Sequence, residues 1–163
     1  MNFQELLEVS SLTALNFFYV NLKEEVLTER VVDAETIYVA SVLASYAQTS
    51  RHSMTSLPPM ANLSEFFDNF VLGQGGLRDP VLLENAGAQS LLLAGFFQDQ
   101  MRYRHDVRWY GGLGGSFYRG ASLYSKDKKR KTLFRRISRN FPVWTVTCRN
   151  LSRSLRENRF LLK

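Results

Sequence analysis

Within Arg102-Tyr103-Arg104-His105-Asp106-Val107-Arg108-Trp109-Tyr110 the chain concentrates its ionisable and aromatic side chains more densely than anywhere else. Asp106 stands beside His105 and has the chemistry to orient an imidazole. Arg102, Arg104 and Arg108 carry planar, two-pronged donors that suit a carboxylate or a phosphate. One expectation from this cluster is an anionic small-ligand binder, or an enzyme, centred on His105 and Asp106. A plainer one is a polar connection between helices, in which Asp106 caps the following helix and the arginines pair with acidic residues upstream.

A glycine-rich run follows at once, with Gly111, Gly112, Gly114 and Gly115. Phosphate-loop chemistry fails on detail: Gly115 and Gly120 have the right separation, but Ala121 stands where the lysine is required and no strand pattern precedes it. A dinucleotide fingerprint fails because Phe117 replaces the third glycine. A nucleophile elbow around Ser116 fails because Tyr118 replaces the closing one. Close approach of a neighbouring helix explains the small residues better, although each glycine costs a helix about 1 kcal/mol relative to alanine.

Metal chemistry has no ligand set to draw on. His52 and His105 are the only histidines and Cys148 is the only cysteine, so no Cys-x-x-Cys, His-Glu-x-x-His or paired Glu-x-x-His arrangement exists. The sequence therefore calls for no metal and no cofactor. Cys148 falls in an apolar helical series, where a packed, inert thiol is expected rather than a nucleophile.

The remaining chemistry is cationic. Lys128, Lys129 and Arg130 open a basic segment, and within it Arg135, Arg139, Arg149, Arg153 and Arg156 recur on the face opposite Phe134, Ile137, Phe141, Trp144 and Leu151, in an apolar series that also takes in Cys148 and Leu155. One side greasy and the other positive is the pattern of a basic amphipathic helix. Such a surface suits a nucleic-acid backbone, an anionic membrane surface or an acidic protein. The rings belong to the apolar side, so they are expected in the core rather than on a base-stacking platform.

The elements that must position these residues read as helices. Phe3, Leu7, Ala14, Phe18, Leu22 and Val26 mark one face of a helix over 3–27, and Asp33 starts a second running to about Gln48. Pro58-Pro59 places a loop over 49–62. A short helix with Phe66, Phe67, Phe70 and Val71 follows from Asn62 or Ser64, ended by Gly73, Gly75 and Gly76. Asp79-Pro80 is a cap with proline at the first helical position, and it opens the most apolar helix, over 80–103, expected to be central. Val107, Tyr110, Gly114, Phe117, Ala121 and Tyr124 form the next face. Pro142 requires the last segment, 133–162, to kink or to restart there.

At 163 residues and 45% hydrophobic, the chain suits one helical domain spanning 1–163 with a single core. The fold class expected is all-α, a bundle of about six helices. Charge is unevenly spread: residues 1–100 carry four basic and twelve acidic residues, net −8, whereas 101–163 carry seventeen and three, net +14. Either the acidic part docks on the basic part, or the basic part meets a polyanion. No apolar stretch is long enough for a membrane span, the N-terminus lacks the cationic start of a secretory signal, and a lone cysteine fits a cytoplasmic setting. Leu91 to Tyr124 resembles helical bacterial proteins of unassigned role, which transfers no function. With no complete catalytic motif, the first expectation is a non-enzymatic protein-interaction or assembly module acting with itself or another protein. The runner-up is a small nucleic-acid-binding protein using the basic C-terminal helix.

Overall fold

The computed structural model describes residues 11–26, 28–50, 78–101 and 104–157, without the side chains of 11, 48–50, 104 and 105. These residues form an all-α bundle with six α-helices and no strand among them. The expected loop over 49–62 lies almost entirely, and the phenylalanine-rich short helix after it wholly, outside the described residues, as do Phe3, Leu7, His52 and Arg102.

Helix α1 (Ser11–Glu25) buries Ala14, Phe18 and Leu22, four residues apart on one face, as their spacing requires. It pairs with α2 (Asp33–Ser50), which turns Val39, Ala40, Leu43, Ala44 and Ala47 inward. The start of α2 is closed by Glu35, whose Oε2 accepts the Val32 amide at 2.9 Å. That carboxylate reaches back one turn to satisfy an otherwise orphaned N–H.

Helix α3 (Pro80–Leu91) is capped as Asp79-Pro80 predicts: Asp79 Oδ1 accepts the amides of Val81 at 2.9 Å and Leu82 at 3.5 Å. The central apolar helix expected over 80–103 is present only in part. The α pattern stops at Leu91 and passes into a π turn, Leu92–Phe96, followed by a 3-10 turn, Gln98–Gln100. The Phe97 amide bonds to the Leu92 carbonyl at 2.7 Å, closing a loop one residue wider than an α turn. Gly95 in this turn sits against the backbone of Thr145 and the side chain of Cys148.

Helix α4 (Arg104–Tyr124) runs through the whole glycine-rich segment without a break. Two glycines explain why. A Cβ on Gly114 would enter the Phe141 ring, and one on Gly87 of α3 would meet the Tyr118 ring at 2.8 Å. Gly111 and Gly112 have nothing within 4 Å, so close packing accounts for part of the run and leaves those two unexplained.

Asp127 caps α5 (Lys128–Arg139) by accepting the Lys129 amide at 2.9 Å. The chain turns at Asn140 and restarts as α6 (Phe141–Glu157), with Pro142 in the first turn where its missing N–H costs nothing. The expected kink or restart is thus a restart. Phe134, Ile137, Phe141, Trp144, Cys148, Leu151 and Leu155 are all buried, so the apolar phase carries across the proline into a single core. Each large side chain sequestered this way contributes about 1.5–3 kcal/mol relative to exposure.

Candidate functional site

Most of the described basic residues of the C-terminal third fall into two groups once the fold is formed. The first group is tied to the body. Arg153 donates from Nε and a terminal nitrogen to the two oxygens of Asp99, each at 2.8 Å, and Arg156 donates to the same carboxylate. Arg149 is half-buried and reaches Gln98 Oε1 at 3.4 Å. Arg130 stands 3.9 Å from Glu84 and 5.6 Å from the centre of the Phe134 ring. Half-burial raises the Glu84 carboxyl above its ordinary value, against the opposing pull of Arg130 and of the Tyr38 hydroxyl. Part of the positive charge therefore neutralises acidic residues of the same fold.

The hydrogen bonds from Arg153, and then those from Arg156, hold Asp99 well below the usual carboxylate range. A depressed folded-state value gives stability that is present above the unfolded value of about 4 and is lost as pH falls through the folded one. Asp99→Asn is expected to lower the melting temperature slightly at pH 7, since this pair is partly exposed, and to lower it by less at pH about 2, where part of that stability is already lost. Equal losses at both pH values would show that the carboxylate charge is not what acts.

The second group faces water. Arg119, Lys126, Lys128, Lys129, Arg135 and Arg139 are exposed, Lys131 is half-buried, and none of them makes an ion pair among the described residues. Between Val107 and Arg156 the sequence holds one acidic residue, Asp127, and its carboxylate is engaged as the α5 cap. The surplus of charge is therefore real in space as well as in sequence.

Four of these cations line one groove between α4 and α5: Arg119 on one wall, and Lys131, Arg135 and Arg139 on the other. Its volume is about 310 Å³, and Ser122, Leu123 and Ser138 complete the lining. Its shape is fixed by two hydroxyls. Ser122 Oγ donates to the Lys131 carbonyl at 2.7 Å, and Ser138 Oγ donates to the Gly115 carbonyl at 2.6 Å, clipping the two helices together at both ends. Because Lys131, Arg135 and Arg139 are four residues apart, their side chains lie one above another along α5 over about 12 Å.

Of the polyanion candidates read from sequence, Arg135 and Arg139 are in this groove, and Lys128 and Lys129 lie on the exposed first turn of α5. Arg130, Arg149, Arg153 and Arg156 are the ones with partners in the fold. Arg119 was not legible as a site residue, because its one signal is the absence of acidic neighbours on α4. The small-ligand cluster is only partly described. Asp106 is half-buried in the first turn of α4, where a carboxylate complements the helix N-terminus, and it is not without a partner; Arg108 is exposed. Arg104 and His105 lie on the same turn, and Arg102 is outside the described residues.

A second opening lies between α1 and α2, lined by Leu12, Thr13, Leu15, Asn16, Tyr19 and Ile37, with Leu12 74% exposed. Cys148 is fully buried, and burial pushes its thiol up to about 12, which removes it as a nucleophile at neutral pH. Among the described residues no group of His, Cys, Asp and Glu is arranged to hold a metal, and no helix is long and apolar enough to cross a membrane.

No family model, curated protein or solved structure matches the chain.

Proposed function

We propose that this protein is a non-enzymatic binding module whose α4–α5 face takes a polyanionic partner, with a nucleic-acid backbone, the runner-up expectation from sequence, as its class. The observation that carries this reading is the groove whose lining includes Arg119, Lys131, Arg135 and Arg139, four cationic residues with no acidic residue among the lining. An internal salt-bridge role would have used these charges as it used Arg153 and Arg156. Left in water at close spacing, they repel one another, and an anion relieves that repulsion while releasing its own counterions.

Retention on immobilised heparin tests the reading. The full chain is expected to bind at about 50 mM salt and to elute on a salt gradient, as counterion release requires. The double variant Arg135→Gln, Arg139→Gln is expected to elute distinctly earlier with an unchanged circular dichroism spectrum. Failure of the unaltered chain to bind removes the proposal.

A protein-contact role, with itself or with another protein, draws on the apolar opening between α1 and α2. Light scattering decides whether copies associate there: a dimer lost on Leu12→Glu supports it, and a monomer counts against self-association.

A further inference from the structure

Resting on the polyanion reading above, we infer that the groove between α4 and α5 is built for the phosphate backbone of double-stranded nucleic acid, bound without reading its bases. Three features separate this ligand from the other polyanions.

The first is the aromatic inventory. Single-strand binding depends on successive rings in the groove on which bases stack. Here Phe117, Tyr118, Phe134, Phe141 and Trp144 are all buried, and among the described side chains of the groove-forming helices Tyr124 at the end of α4 is the one exposed ring of Phe, Tyr or Trp, with Trp109 half-buried near the far end of α4. One ring does not make a stacking track. A duplex keeps its bases stacked on each other and asks for none.

The second is where the apolar side of α5 goes. A helix that lies in an anionic membrane interface adds the insertion of its apolar face to the attraction of its charges. Phe134 and Ile137 occupy the core of the bundle instead, so α5 offers charge without an insertable face.

The third is spacing. Lys131, Arg135 and Arg139 rise along α5 over about 12 Å, and a duplex strand carries a charge about every 3.4 Å of its axis, so a row of this length meets more than one backbone phosphate. Arg119 approaches from the opposite wall. Ser122 and Ser138, the polar neighbours best placed to touch a base or a sugar, already donate their hydroxyl protons to backbone carbonyls. Contacts of this kind fix position and carry no sequence information.

The test is fluorescence anisotropy on the full-length chain with five probes: a 20-base-pair mixed-sequence DNA duplex, the RNA duplex of the same sequence, the matching single strand, heparin, and phosphatidylserine-containing vesicles. The duplexes are expected to bind more tightly than the single strand, with little change when the sequence is scrambled. With four phosphates neutralised, the log–log salt slope is expected near −3.6 on duplex DNA, against about −2.8 were the single strand the true ligand. The double variant Arg135→Gln, Arg139→Gln should reduce the duplex slope by about two, and Arg119→Gln by about one, readouts that a merely destabilised fold would not give. Comparison of the two duplexes tells whether the sugar matters.

Heparin binding with the single strand or the vesicles bound as tightly as the duplexes, or more so, overturns the inference and leaves the polyanion reading intact. No binding to any probe overturns both. A duplex slope unchanged in Arg135→Gln, Arg139→Gln places the contact elsewhere and also sinks the inference.

Discussion

Gly114→Leu is expected to abolish the fold, or to lower its melting temperature by about 5–10 °C. Gly114 is buried on α4 where that helix meets the start of α6, and a single added carbon already enters the Phe141 ring. Phe141 has no room to yield. Its ring is buried among the core residues and stands 6.1 Å from that of Tyr118, which is itself fully enclosed. Overpacking of such a site typically costs about 1–3 kcal/mol and more when backbone must move. Each kcal/mol is worth about 2–4 °C in a chain of this size. Gly112→Ala supplies the contrast: the position is helical, exposed and open, so the added methyl is expected to stabilise by as much as about 1 kcal/mol. Thermal unfolding of both variants checks the pair. An unchanged melting temperature in Gly114→Leu would mean that α4 and α6 do not meet as closely as the structure has them.

The second large effect is expected at Glu35, the buried carboxylate at the start of α2. Its Oε1 accepts Asn140 Nδ2 at 2.9 Å and Trp144 Nε1 at 3.2 Å, while Oε2 accepts the Val32 amide. One side chain thus holds its own helix start, the turn between α5 and α6, and the indole at the centre of the core. Glu35→Ala leaves three donors behind, two of them in buried bonds, and is expected to cost about 3 kcal/mol. Glu35→Gln keeps one oxygen for Asn140 and Trp144 but turns an amide N–H₂ toward the Val32 N–H. A smaller loss, about 1 kcal/mol, is expected. Denaturant unfolding followed by Trp fluorescence measures both. A loss in Glu35→Gln equal to that in Glu35→Ala would show that the carboxylate charge, and not its acceptor geometry, is what the site uses.

Much of this architecture could be read before any coordinates, because it depends on local rules. The Asp79-Pro80 cap, the restart at Pro142 and the two-sided character of the last helices follow from backbone donors and from a period of 3.6 residues, both of which are short-range. Trp144 and Phe141 are interior and Arg153 is exposed, as the pattern demands. What the pattern does not carry is which residues meet across the fold. Glu35 looked like any acidic residue in a first turn, yet its partners lie more than a hundred positions away. Arg149, Arg153 and Arg156 counted as free charge in a linear tally. Only the packing of Gln98 and Asp99 against α6 shows why these three are anchored and Arg135 and Arg139 are not. The glycine run shows the same division: composition indicated close approach, but Gly114 could be told apart from Gly111 and Gly112 only by the ring opposite it.

The π turn over Leu92–Phe96 has a consequence for how one rod serves two neighbours. An extra residue in a turn offsets everything after it by about 100° around the axis. Upstream of the offset, Leu83, Ala86 and Gly87 look toward α4; downstream, Gln98 and Asp99 arrive alongside the arginines of α6. The π turn, the turn at Phe97 and the 3-10 turn over Gln98–Gln100 together bring Asp99 to Arg153 while Gly87 stays on the Tyr118 ring. The spare residue works as a vernier between two docking azimuths, and a chain shortened by one position there would have to surrender one alignment to keep the other.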